Sequence, residues 1–202
     1  AGFNGFRDAH QPHHLDYQKY WDEKGILFWT QFSAHVWYDT PEFRENFKKL
    51  LRQWVKERRN SPSVVIWGLQ NESTLPREFA QECSEIIREM DPTARTMRVI
   101  TTCNGGEGTD WNVIQNWSGT YGGDVTEYGK ELSRKNQLLN GEYGAWRSIG
   151  LHTEPGEFEV NGVWSEDRMC RLMETKIRLA EQARDSVCGQ FQWIYSSHDN
   201  PG

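Results

Sequence analysis

The stretch SPSVVIWGLQNES, residues 61–73, decides how the rest of the chain is read. Val64, Val65, Ile66 and Trp67 are four apolar side chains in succession, and a run without polar alternation suits a strand covered on both faces. Asn71 and Glu72 then stand where the strand should be emerging from the core. A carboxylate is costly to bury, so a glutamate at that point calls for partners, a raised pKa or a chemical task.

Working outward, a helix is predicted over about 76–90, because Phe79, Cys83, Ile86, Ile87 and Met90 recur at helical spacing. Upstream, GILFWTQF (25–32) is a strand candidate. DTPEFRENFKKLLRQWVKERRN then reads as a helix with Thr40 as cap, Pro41 at the first helical position and Glu42 in the first turn. Phe43, Phe47, Leu50, Leu51, Trp54 and Val55 form its apolar face. Downstream, RVITT (98–102), NVIQNW (112–117), NQLLNGEYG (136–144) and VCGQFQWIYSS (187–197) are further strands, with a helix from a cap at Ser165 to about Arg184. Together with GFNGFRDAH this makes about seven strands alternating with helices. The pattern predicts a parallel α/β sheet: a (β/α)8 TIM barrel lacking its first βα unit, with an open doubly wound sheet as the competitor. The chain reads as one partial domain over 1–202, cut from a longer protein at both ends. NGGEGTD and GTYGGD lack the GK[ST] of a phosphate loop and read as loops.

Composition narrows the function classes. The net charge is −6, and the one basic stretch, KKLLRQWVKERR, lies on the helical pattern of a solvated face, so no nucleic-acid surface is expected. No apolar run approaches the ~18 residues a membrane helix needs. Ten tryptophans exceed the needs of an ordinary core, and some suit a cleft where flat rings stack on a ligand. Cys83, Cys103, Cys170 and Cys188 are widely spaced and read as small buried thiols. The compartment stays open, a periplasmic or secreted location included.

Catalytic groups of parallel barrels stand at the C-terminal ends of strands. Glu72 follows SVVIWGLQN, and Glu142 follows QLLNG. If both strands belong to one barrel, both carboxylates face one mouth. Paired carboxylates are the apparatus of glycoside hydrolysis: one protonates the departing oxygen, the other attacks or activates water, and a separation of ~5–5.5 Å implies a covalent, retaining route. Burial and mutual repulsion would hold one of the two pKa values high. By spacing alone, Glu72 could equally open the next helix and Glu142 cap a turn.

At these residues a resemblance enters. RRNSPSVVIWGLQNES is similar to the acid/base segment of glycoside hydrolase family 2, the β-galactosidase and β-glucuronidase family, and LLNGEYGAW to its nucleophile segment. FNGFRDAHQPHHLDYQKYWDEKGILFWTQF resembles the family's second and third barrel strands, and GQFQWIYSSHDNPG its last. The pieces arrive in the family's order and span nearly the whole chain.

The resemblance implies Glu72 as general acid/base and Glu142 as nucleophile. It implies Asn71 as ligand of the hydroxyl beside the anomeric carbon, Arg7 as support for the nucleophile's side, His10 as a sugar contact, and Trp193 as floor or wall. The bland alternatives are a structural ion pair for Arg7, core packing for Trp193 and loop polarity for His10. His10, His13 and His14 raise the question of a metal, but Pro12 breaks any helical pairing among them, and neither metal nor cofactor is expected. There are departures from the family. Its first strand has no counterpart here, Gln31 occupies a usually acidic place, and the tyrosine that would bond the nucleophile is either Tyr121 or displaced by Trp117. The expected activity is retaining exo-hydrolysis of β-galactosides, algal galactan oligosaccharides included. The alternatives are β-glucuronides, β-mannosides or an inert carbohydrate-binding fragment. Flanking β-sandwich domains and a homo-oligomer are the partners the resemblance implies.

Overall fold

A computed structural model describes residues 2–32, 38–132, 138–145, 150–152 and 165–194. Seven strands occur among them: β1 (Gly5–Arg7), β2 (Leu27–Gln31), β3 (Val64–Asn71), β4 (Val99–Cys103), β5 (Trp111–Gln115), β6 (Leu138–Gly144) and β7 (Val187–Trp193). The helices are α1 (Leu15–Lys24), α2 (Pro41–Arg58), α3 (Arg77–Met90), α4 (Glu127–Leu132) and α5 (Glu166–Gln182). Each strand pairs in parallel with its successor in the chain. A doubly wound sheet reverses strand order at a switch point. The monotonic order β1 to β7 has no reversal, so the arrangement is the singly wound one of a (β/α) barrel. The chain divides into two compact units, Ala1–Val113 and Ile114–Gly202.

In the first unit the predicted helix signals act as read. The Thr40 hydroxyl accepts from Phe43 N at 3.2 Å, and Pro41 opens α2. Phe47, Leu51, Trp54 and Val55 of α2 pack with Trp67 and Leu69 of β3 and with Phe79, Cys83, Ile86 and Ile87 of α3. Each such large side chain contributes on the order of 1.5–3 kcal/mol by leaving water. Trp67 meets Trp54 edge-on at 4.8 Å, and its indole N–H donates to Asp91 at 2.9 Å.

The opposite face of β3 is built differently. A Cβ at Gly68 would meet the Trp29 indole nitrogen at 2.6 Å, so glycine there makes room for a buried tryptophan on β2. Between Gly68 and Gln70 the β3–β4 register shifts by one residue. Strict alternation would put Asn71 on the helix-facing side with Trp67 and Leu69; the extra residue turns it to the face that carries Trp29.

In the second unit Tyr128, Leu132, Tyr143 and Ala180 form a smaller core, joined by Ile114, Met173, Leu179 and Val187. Ser165 caps α5, its hydroxyl accepting from Arg168 N at 3.1 Å.

Several expectations are corrected. Helix α1 shows no apolar period in the sequence, because it buries only Trp21 and leaves Leu15, Tyr17 and Tyr20 exposed. Helix α4 has six residues, too few to show a period. Strand β3 includes Asn71, so the first residue of the polar pair is still in the strand and buried, and only Glu72 has left it. Residues 136–137 and 195–197 of the predicted strands lie outside the described residues. Cys83 and Cys103 are buried, but Cys170 and Cys188 are exposed. Cys170 shares a solvent-facing stripe of α5 with Glu174, Ile177, Arg178 and Glu181, so its thiol packs no core. Among the described residues no helix is long and apolar enough to cross a membrane.

Candidate active site

The first unit gathers four of the predicted residues at strand ends. Arg7, the last residue of β1, lies with its guanidinium carbon 4.5 Å from the centre of the Trp29 ring. Its Nη2 donates to Asn71 Oδ1 at 2.6 Å, and its Nε donates to Gln31 Oε1 at 2.9 Å. One cation thus fixes the orientation of two amides, because the oxygen of each must face the donor. Asn71 and Gln31 are both fully buried.

Glu72 follows β3 directly, and its N–H donates to Cys103 O at 2.9 Å. Its φ of 50° lies in the left-handed region. A side chain with a Cβ pays roughly 1–2 kcal/mol there, and such residues concentrate at functional sites. The turn is held by Gln70, whose Nε2 donates to Gly105 O at 2.6 Å while its Oε1 accepts from Leu75 N at 3.1 Å. Glu72 itself is exposed, so the burial expected from its position at the strand end is not found. The left-handed turn releases the chain from the strand direction at that residue.

The histidine cluster separates into different tasks. His10 is half-buried just past β1. His13 bonds Asp8 at 2.7 Å, and this hydrogen bond, opposed by partial burial and helped by the carboxylate's charge, raises the imidazole pKa above its ordinary value. His14 caps α1, accepting from Asp16 N at 3.3 Å. Asp8 is the residue that sequence reasoning missed. It is buried, and it also accepts from Thr30 Oγ1 at 3.1 Å and Gln31 N at 3.3 Å. Its signal was its place one residue past β1, the same relation that Glu72 has to β3.

The second unit carries Glu142 inside β6, 4% exposed. Its N–H donates to Asn140 Oδ1 at 3.2 Å, and its carbonyl accepts from Asn116 N at 3.0 Å. Asn140 in turn donates to the Tyr128 hydroxyl at 3.1 Å, which donates to Gln190 on β7. Burial pushes the Tyr143 phenol up to about 12. A Cβ at Gly144 would collide with the Trp193 carbonyl oxygen, so this glycine permits the close approach of β6 to the end of β7. Trp193 is half-buried there. Tyr121 lies on the loop after β5, 63% exposed, with its ring 5.4 Å from that of Trp117.

Lys176 of α5 is fully buried in this unit. Its ammonium donates to Thr120 Oγ1 at 2.9 Å and to Gly144 O at 2.8 Å. Burial first, and the charge of Arg168 second, lower its pKa from 10.5 to about 8. The unfolded chain therefore holds this proton between pH 8 and 10.5 after the folded chain has released it, so folding becomes more favourable as pH rises through that window. The stability difference between the wild type and Lys176→Met is expected to move toward the wild type by about 3 kcal/mol from pH 8 to pH 10.5. Chemical denaturation across that range checks it, and a difference independent of pH would contradict it.

Comparison with known proteins shows the family and the fold. The family model described as "Glycosyl hydrolases family 2, TIM barrel domain" matches residues 1–190. The chain therefore belongs to glycoside hydrolase family 2 and carries that family's TIM barrel domain. A beta-glucuronidase of Bacteroides fragilis is 27% identical over 219 residues, covering 95% of this chain and 30% of that protein. A beta-galactosidase of Thermoanaerobacterium thermosulfurigenes is 29% identical over 101 residues, covering 48% of this chain and 14% of that protein. Among solved structures, the beta-glucuronidase of Ruminococcus gnavus in complex with D-glucuronic acid superposes with a TM-score of 0.79 at 19% identity, over 98% of this chain and 37% of that one, a likeness of fold. The chain thus spans less than a third of the length of these two curated relatives.

Proposed function

We propose that the protein carrying this chain is a retaining exo-β-glycosidase, with Glu142 as nucleophile and Glu72 as general acid/base. The observation that carries the reading is chemical. A glutamate in a strained left-handed turn closes β3, and a second, buried glutamate with a braced backbone sits near the end of β6. Family membership supplies the reaction class.

In the first half-reaction the Glu142 carboxylate attacks the anomeric carbon. The bond to the leaving oxygen breaks, and the proton of Glu72 goes to that oxygen. In the second, Glu72 takes a proton from water, whose oxygen displaces Glu142. Asn71, its Oδ1 held by Arg7, presents its NH2 group as a donor to the hydroxyl beside the anomeric carbon. His10 and Tyr121 contact the sugar, and Trp193 offers an apolar wall.

Two glycones stand forward. The β-galactoside was the expectation from sequence. The β-glucuronide draws on a relative of that name aligned over 95% of the chain, against 48% for the relative named beta-galactosidase. A panel of 4-nitrophenyl β-glycosides on the full-length protein separates galactoside, glucuronide and mannoside. The 2-deoxy-2-fluoro analogue of the preferred glycone should then label Glu142 by peptide mapping. A label on any other residue overturns the assignment.

A further inference from the structure

Gln31 lies at the end of β2, fully buried, on the sheet face that also holds Trp29 and the guanidinium of Arg7. Its backbone is pinned, N–H to Asp8 at 3.3 Å. Its side-chain oxygen is committed to Arg7 Nε at 2.9 Å, which leaves the NH2 end of the amide no freedom to flip. That NH2 group, Nε2, is buried and has no hydrogen-bond partner among the described residues. A buried donor left unsatisfied costs about 1–3 kcal/mol, and a fold that orients such a donor so firmly calls for an acceptor. The same guanidinium orients Asn71, and the Gly68 backbone comes close to the Gln31 side chain.

We infer that Gln31 is a specificity-determining residue whose Nε2 donates a hydrogen bond to a glycone oxygen other than the one bound by Asn71. This rests on the glycosidase reading above. Three features of the chemistry define the ligand. It must offer an oxygen acceptor, because the site supplies N–H. It must fit beside a guanidinium already occupied by two amide oxygens. And it must be a second position on the ring, because Asn71 serves the first. A glutamate at this position would keep the acceptor for Arg7 and delete the donor.

The test is a cycle between Gln31→Glu and a series of monodeoxy forms of the preferred 4-nitrophenyl glycoside, each lacking one ring hydroxyl, on the full-length protein. Gln31→Glu retains the contact with Arg7, and a melting curve verifies that it folds. On the parent substrate it is expected to lose roughly 10- to 100-fold in kcat/KM. The wild type should lose a similar factor on one deoxy substrate. The variant and that substrate together should lose little more than either alone. Gln31→Met, which also removes the acceptor for Arg7, should show the same non-additivity at the same ring position.

Losses that multiply at every ring position would overturn the inference. An undiminished Gln31→Glu would overturn it too. Labelling of Glu142 by the fluoro-sugar is independent of Gln31, so multiplicative losses with intact labelling sink this inference alone. If no glycoside is turned over, the cycle is read on Kd for the free monodeoxy sugars, where additivity again refutes it.

Discussion

Replacing Glu142 by glycine is expected to lower kcat on the preferred 4-nitrophenyl glycoside by about 10⁴-fold or more, because the covalent half-reaction loses its nucleophile while binding survives. Azide should restore turnover by entering the space of the missing carboxylate, and it attacks from the same side. The product is then an α-glycosyl azide, inverted relative to the β-substrate. The stereochemistry, read by NMR, is the decisive quantity. Glu142 is also braced through its backbone, by Asn140 and Asn116, and neither bond needs its side chain. The variant should therefore fold. A glycine variant that retains more than a tenth of the activity would remove Glu142 from the chemistry.

Replacing Glu72 by alanine should divide substrates by their leaving groups. A dinitrophenolate departs without a proton, so the first half-reaction proceeds and the glycosyl intermediate accumulates, with KM falling alongside kcat. An alkyl glycoside needs the proton and should lose roughly 10²–10⁴-fold in kcat/KM. Azide should accelerate the dinitrophenyl reaction and yield a β-glycosyl azide, the opposite anomer from the Glu142 variant. Equal losses on both substrates would show that Glu72 gives no proton. Glu72 is exposed, so its truncation opens no cavity in the core. The turn after β3 stays held by Gln70, whose amide bonds Gly105 and Leu75.

The two glutamates were reached in the same way. Each stands just past an apolar run, Glu72 after SVVIWGLQN and Glu142 after QLLNG, so each was a candidate by its place at a strand end. By spacing alone Glu72 could equally open a helix and Glu142 cap a turn, and it is the resemblance that gives both their roles. Helix α1 was not legible as a period: its partners are aromatic contacts of Trp21 with Phe6 and Phe28, at 5.3 and 4.4 Å, rather than a stripe of aliphatic residues. The aspartate at position 8 was passed over for a similar reason. Its partners are His13, Thr30 and the backbone of Gln31, two of them on another strand and far along the chain. The buried Lys176 reads in sequence as one more basic residue on a charged helix; only its burial against Thr120 and Gly144 shows otherwise.

What the amino-acid sequence determined alone is the order of the strands and of helices α2, α3 and α5, the caps of α2 and α5, the parallel class of the sheet and the family. The elements, caps and sheet class follow from periodicity and from local hydrogen bonds between residues a few positions apart, which chain order already contains; the family follows from the resemblance of whole segments taken in order. What required the tertiary structure is the state of each side chain at the strand ends. The one-residue register shift in β3 decides which face Asn71 takes. The shared guanidinium of Arg7 decides which way the amides of Asn71 and Gln31 point. Both depend on neighbours 24 to 64 residues away along the chain, brought together by strand pairing, and no local pattern encodes them.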